Sequence, residues 1–131
     1  MGLFGKIFGN SGSAPQGDGP QVPWQPLVSR TQLEEIPGKS KTRPQLIFKH
    51  STTCGISRMV LNGFNAQFDL DREAADLYYL DLHAHRDLSN AVAEVFQVMH
   101  QSPQLLIIKD GAVVAHDSHG AISDIDLKDF V

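Results

Sequence analysis

The chain has 131 residues, of which 41% are hydrophobic, and a formal net charge of −4 at pH 7. This length fits one small domain, because single domains commonly contain about 100–150 residues. The negative charge argues against nucleic-acid binding. No run of about 18 apolar residues is present, so the sequence predicts no transmembrane helix.

The first 23 residues differ in composition from the rest of the chain. The chain opens on an apolar stretch around one lysine, which is too short for a secretory signal. Gly, Pro and Ser residues follow and leave almost nothing to bury. We predict a flexible N-terminal tail and Gly/Pro/Ser-rich linker at 1–23, a folded domain at 24–131, and a cytoplasmic location.

From Trp24 onward, helix and strand patterns alternate. Ser29 or Thr31 is predicted to cap a short helix that ends at Pro37. The apolar run 45–50 predicts a buried strand, and Thr53 is predicted to cap the helix that follows it. Five apolar residues at near-helical spacing predict the buried face of that helix: Ile56, Met59, Val60, Phe64 and Phe68.

The second half of the domain adds a strand at 77–82 and a helix capped by Asp87. Two strands at 104–109 and 112–116 are joined by an Asp-Gly pair, a strong hairpin signal. Ser123 is predicted to cap a last helix. Strands separated by helices should be parallel with right-handed crossovers, and the hairpin must be antiparallel. The predicted fold class is α/β, a mixed central sheet flanked by helices on both faces.

Cys54 is the only cysteine, and it lies where a strand pattern ends and a helix pattern begins. The helix dipole and free backbone N–H groups at such a junction favour a thiolate, the form that attacks disulfides. The alternative is an inert thiol, since free cysteine is among the most buried residue types. His50 could stabilise the thiolate as an imidazolium, transfer a proton, or be a half-buried structural side chain.

The six histidines raise the question of a metal site. His83 and His85 alternate at one strand end, while His116 and His119 follow a hairpin strand. No Cys-x-x-Cys or His-Glu-x-x-His spacing accompanies them, so the pattern is poor for zinc and we predict no metal.

The segment 48–57, Phe-Lys-His-Ser-Thr-Thr-Cys-Gly-Ile-Ser, is the most specific motif of the chain. Together with the strand–Cys-x-x-Ser–helix unit and Ser102-Pro103 before the hairpin, it resembles the thioredoxin superfamily and, within it, the YtxJ family of monothiol bacilliredoxins. The stretches 81–87 and 100–104 also match that family's pattern. The resemblance covers about residues 24–131 and implies a thioredoxin-like fold. Gly55 departs from it, because relatives often carry proline there, and a glycine should loosen the first helical turn.

The resemblance implies a monothiol exchange reaction in which the Cys54 thiolate takes bacillithiol from an S-bacillithiolated protein. No cofactor is expected to be bound; bacillithiol is a co-substrate. The expected partners are bacillithiolated client proteins and a low-molecular-weight thiol or second redoxin that regenerates Cys54. Four neighbours are expected to support the thiolate: His50, Thr53, Gly55 and Ser57.

The resemblance also implies a substrate-binding turn at Ser102 and Pro103, with a cis peptide bond and the backbone of Ser102 presented to an extended substrate. Arg58 and Arg86 either supply positive potential for the malate carboxylates of bacillithiol or are ordinary surface residues. Ser57 either offers its hydroxyl to the thiolate or is a neutral helix residue.

Two other functions remain open. One is a non-catalytic thioredoxin-like, stress-associated adaptor, and the other is a monothiol redoxin that uses a different low-molecular-weight thiol. Rapid alkylation of Cys54 near neutral pH would favour an enzyme, and a sluggish thiol would favour the adaptor.

Overall fold

Five strands form one mixed sheet in the computed structural model, which describes residues 22–131. The strands, in chain order, are β1 (Trp24–Pro26), β2 (Gln45–His50), β3 (Asp76–Asp81), β4 (Gln104–Lys109) and β5 (Ala112–Ser118). Their order across the sheet is β1-β3-β2-β4-β5. β1, β3 and β2 are parallel, whereas β4 is antiparallel to β2 and β5 to β4. Residues 1–21 lie outside the described part, so the flexible tail and linker at 1–23 stay a prediction.

Helices cover both faces of the sheet, as predicted. The helices are α1 (Arg30–Lys39), α2 (Gly55–Gln67) and α3 (Arg86–Phe96), followed by two short 3₁₀ helices at His119–Asp124 and Leu127–Phe130. One buried cluster joins the sheet to α1 and α3, and a second joins the other face to α2 and the first 3₁₀ helix. Side chains alternate across a strand, so Ile47 packs in the first cluster and Leu46 and Phe48 in the second. Neighbouring residues of β2 therefore reach different sets of helices.

The strand β1 was not predicted, because proline flanks Trp24 and lacks the N–H that strand pairing needs. β1 is nevertheless an edge strand that pairs in parallel with β3. The Trp24 indole donates to Asn65 Oδ1 at 2.9 Å and packs against Phe48 and Phe64. Tertiary packing thus fixes a segment whose local sequence favours only an extended chain.

The start of α1 confirms one of the two predicted caps. Ser29 Oγ accepts from the Gln32 N–H at 3.2 Å, and Gln32 Oε1 accepts from the Ser29 N–H at 3.1 Å, which completes a capping box. The helix does not end at Pro37, because the Ser40 N–H donates to Ile36 O at 2.9 Å and closes a further turn.

Three other predicted caps are wrong. Cys54 itself is the N-cap of α2, and Thr53 lies one residue before the cap. His85 is the N-cap of α3, so Asp87 falls inside the first turn. Ser123 lies within the first 3₁₀ helix, and the predicted last helix is instead two 3₁₀ pieces.

The apolar face predicted for α2 is wrong in its first turn. Ile56 is 55% exposed and Met59 is 66% exposed, whereas Val60 and Phe64 are buried as predicted. Ser57 is fully buried and occupies the inward position of that turn. Since each helical residue advances by about 100°, turning Ser57 inward directs Met59 to solvent.

Candidate active site

Cys54 lies at the positive end of α2, immediately after the loop that leaves β2. Its backbone is extended, with φ −107° and ψ 120°, and its side chain is partly exposed. The Cys54 N–H donates to Ser51 O at 3.2 Å, and its carbonyl accepts the Arg58 N–H at 3.1 Å, the first bond of the helix. A partly exposed sulfur at this position is open to a disulfide and lies where the helix dipole favours negative charge.

The Ser57 hydroxyl ties the first turn of α2 to the end of β2. Its Oγ accepts the Ser51 N–H at 3.1 Å and lies 2.8 Å from His50 Nδ1. With the Ser51 N–H already accepted, the hydroxyl hydrogen can be donated to an unprotonated Nδ1. These contacts make Ser57 a positioning residue; its expected support of the thiolate stays a prediction.

Burial lowers the pKa of His50. Asp81 opposes this effect, while Arg58 and His83 add to it. A histidine whose pKa is below its usual 6.5 is mainly neutral at pH 7. The lowered pKa thus argues against an imidazolium beside the thiolate and favours the alternative of a buried structural side chain.

His83 is a site residue that the sequence reasoning did not find. Its Nε2 lies 2.7 Å from Ser51 Oγ and 3.1 Å from Thr53 Oγ1. Asp81 Oδ1 accepts the His83 N–H at 3.0 Å and so turns the chain at the end of β3 toward the cysteine loop. Because β2 and β3 are parallel, a histidine just after β3 belongs at the same edge as Cys54. That reasoning could have found it.

The histidines do not assemble a metal centre within residues 22–131. In that range no group of three or more His, Cys, Asp or Glu side chains is placed to hold a metal ion. His83, considered above with His85, instead contacts two hydroxyl groups of the cysteine loop.

The Ser102–Pro103 peptide bond is cis, as predicted. β4 begins directly after it and runs antiparallel to β2, with Gln104 opposite Lys49. This pairing brings Ser102 and Pro103 to the edge of the sheet where β2 ends and Cys54 follows. Ser102 Oγ is buried without a hydrogen-bond partner. The role of this turn in substrate binding stays a prediction.

A buried lysine lies beneath this edge, on the face opposite His50. Lys49 is fully buried, and its Nζ lies 3.2 Å from His100 Nδ1, which Ser89 Oγ approaches at 3.4 Å. Burial lowers the pKa of Lys49 to about 8. Burial, then Lys49 and Arg86, lower the pKa of His100. At neutral pH the ammonium therefore donates to a neutral imidazole.

The loop before the cis bond is held by the side chain of Gln104, the residue that pairs with Lys49 across β2 and β4. Gln104 Nε2 donates to Met99 O at 3.0 Å, and Gln104 Oε1 accepts the Gln101 N–H at 3.4 Å. Sequence reasoning missed this network, although a lysine inside a six-residue apolar strand is a signal that its amine has a specific partner.

Comparisons with known proteins identify the family and the fold of this chain. A family model described as monothiol bacilliredoxin BrxC matches residues 25–127. The chain belongs to the monothiol bacilliredoxin family. The description monothiol agrees with the sequence, in which Cys54 is the only cysteine.

Solved structures show that this chain has a thioredoxin fold. One, provisionally described as an oxidoreductase with a thioredoxin fold, is 34% identical, covers 76% of this chain and 85% of its own, and has a TM-score of 0.65. Malassezia sympodialis thioredoxin is 15% identical over 88% and 91% of the two chains, with a TM-score of 0.61. Fasciola hepatica thioredoxin is 21% identical over 72% and 86%, with a TM-score of 0.55. The last two show the fold alone. The family match indicates a thiol redox function on that fold.

Within residues 22–131, no helix has both the length and the hydropathy needed to cross a membrane.

Replacing Ser57 with alanine should destabilise the fold by about 1–3 kcal/mol, because the buried Ser51 N–H and His50 Nδ1 both lose a partner. Urea unfolding measures the change, and Ser123→Ala, at an exposed serine, is the matched control. An unfolding free energy equal to that of wild type would contradict the positioning role of Ser57.

The lysine gives a second prediction, on the pH dependence of stability. An unfolded lysine stays protonated up to about pH 10.5, whereas folded Lys49 releases its proton near pH 8. Between these values the unfolded chain binds more protons, so stability rises with pH. We expect the unfolding free energy of wild type, relative to Lys49→Met, to rise by about 2 kcal/mol from pH 8 to pH 10. Equal pH dependence in the two proteins would show that Lys49 is not desolvated.

Proposed function

We propose that this bacilliredoxin removes bacillithiol from S-bacillithiolated proteins through Cys54, in the cytoplasm. The observation that carries the proposal is a single, partly exposed sulfur at the N-cap of α2, beside the cis Ser102–Pro103 turn, in a chain of the monothiol family. An exposed helix entrance favours the thiolate, and thiolate attack on a disulfide is the chemistry that this family's name implies.

In the proposed step the Cys54 thiolate attacks the bacillithiol sulfur of the mixed disulfide. A bond forms between Cys54 Sγ and bacillithiol, and the bond to the client's sulfur breaks. The client cysteine leaves as a thiolate and takes a proton from water. One disulfide is exchanged for another, so no external oxidant or reductant is consumed in this step.

A second step must regenerate Cys54. Ser57 occupies the i+3 position and is a buried hydroxyl bonded to Ser51 and His50, so the chain has no resolving thiol there. Free bacillithiol, or a thiol of a second redoxin, attacks the sulfur of the captured bacillithiol and releases the Cys54 thiolate. The product is a disulfide between the attacking thiol and the bacillithiol that it removes from Cys54, and a separate reductase system must reduce it.

The turn at Ser102 and Pro103 supports the client's approach. It lies at the start of β4, at the sheet edge next to Cys54. We propose that the backbone of Ser102 pairs with an extended segment of the client around its modified cysteine, in the manner of strand addition. This orientation would direct the mixed disulfide toward the entrance of α2.

The test uses one client protein with a single cysteine, capped either with bacillithiol or with glutathione. Wild-type chain should release the client thiol from the bacillithiol form, and mass spectrometry should find bacillithiol on Cys54. Cys54→Ser should abolish both results, because a serine hydroxyl does not attack disulfides at neutral pH.

Full release by Cys54→Ser would overturn the proposal. Faster release from the glutathione form would replace bacillithiol with another low-molecular-weight thiol. Tight binding of the capped client with no release by wild type would indicate the adaptor instead.

A further inference from the structure

An open cavity of about 410 Å³ lies between the start of α1 and the loop that precedes α3. Its polar lining consists of Ser29, Arg30, His83, His85, Arg86 and Asp87. Arg30 and Arg86 are the first residues of α1 and α3, so two arginines and the positive ends of two helices line the cavity. A cavity of this size is large enough for a small organic ligand, since ligand pockets commonly measure about 300–1,000 Å³.

The cavity adjoins the cysteine loop through His83. This side chain lines the cavity, and its Nε2 also contacts Ser51 and Thr53, the latter directly before Cys54. Arg86 also lies close to the loop before the cis Ser102–Pro103 bond, because its charge contributes to lowering the pKa of His100 in that loop. A group held in the cavity would therefore be close to the loop that carries the reacting sulfur.

The charges of the lining favour a ligand with more than one carboxylate. In residues 22–131, Arg86 has no carboxylate within ion-pair distance, and Arg30 has only Glu34, at 3.8 Å with both side chains exposed. Exposed pairs of this kind contribute about 0–1 kcal/mol and exchange readily. Asp87 is an exposed carboxylate of the lining. It can accept hydrogen bonds from hydroxyl groups or an ammonium, and it would repel an anion. The lining thus fits a molecule that carries carboxylates and hydrogen-bond donors together.

We infer that this cavity binds the dicarboxylate part of the low-molecular-weight thiol, with Arg86 and Arg30 on its carboxylates. The inference rests on the proposed function, in which that thiol is bacillithiol and the dicarboxylate is its malate group. Guanidinium groups bind carboxylates through paired, charge-assisted hydrogen bonds. Specificity for the small thiol then comes from this cavity, and the turn at Ser102 and Pro103 is left for the client protein.

Arg58 is excluded from this role. Its guanidinium donates to Thr52 O at 3.1 Å, and the residue does not line the cavity. Of the two arginines considered from the sequence for the malate carboxylates, the structure therefore selects Arg86 alone, and it adds Arg30.

The test compares one client protein capped with bacillithiol and the same client capped with 2-mercaptoethanol, which has no carboxylate. The full-length Arg30→Gln/Arg86→Gln variant should lose about 10- to 100-fold in release rate on the bacillithiol form, as expected for one or two lost charge-assisted bonds. Its rate on the mercaptoethanol form should change less than about 2-fold, and wild type should lose its preference for bacillithiol at high salt. Lys41→Gln/Arg72→Gln, at two exposed cations that do not line the cavity, removes the same two positive charges and is the matched control.

Equal loss on both capped forms, no loss on either, or the same selective loss in Arg58→Gln would overturn the inference. An independent readout is the binding of L-malate to Cys54→Ser, followed by NMR at the backbone amides of His83 and Arg86. Shifts at these amides that disappear in the double arginine variant support binding of the dicarboxylate in the cavity. If they occur while no client is released, only the proposed function fails. Release of bacillithiol without such shifts or arginine effects sinks the inference and leaves the proposed function standing.

Discussion

The arrangement around the thiol depends on one buried hydroxyl, that of Ser57. A buried hydroxyl needs partners, and Ser57 finds them in the Ser51 N–H and His50 Nδ1. These bonds fix how α2 enters the fold, so that Cys54 becomes the N-cap and stays partly exposed. They also turn Met59 outward, which leaves an apolar side chain on the surface of the helix that carries the thiol.

The sheet topology brings the other parts of the site to the same edge. β2 and β3 are parallel and both end there, while β4 is antiparallel and begins there. The segments after β2 and β3 carry Cys54 and His83, and the segment before β4 carries the cis Ser102–Pro103 bond. Segments up to about 50 positions apart in the sequence thereby meet at the edge of the sheet where Cys54 lies.

Alternation along β2 gives the two faces of this edge different chemistry. His50 turns toward α2 and meets Ser57, whereas Lys49 turns toward α3 and meets His100. Burial lowers the pKa of both residues, but Lys49 keeps its charge at neutral pH and His50 does not. The Lys49 ammonium and the neighbouring Arg86 make this side of the site electropositive.

The sequence by itself determined the strands β2 to β5, the presence of α1, α2 and α3, the sheet's mixed character and Cys54 at a strand-to-helix junction, because hydrophobic periodicity and turn residues act locally. It also determined family membership through the motif at 48–57, and the family match agrees. Only the tertiary structure decided that Trp24 belongs to an edge strand, that Ser57 rather than Met59 faces inward, and that His83 meets the cysteine loop. Each of these outcomes rests on contacts between segments distant in sequence, and a linear pattern does not specify which buried polar group will find which partner.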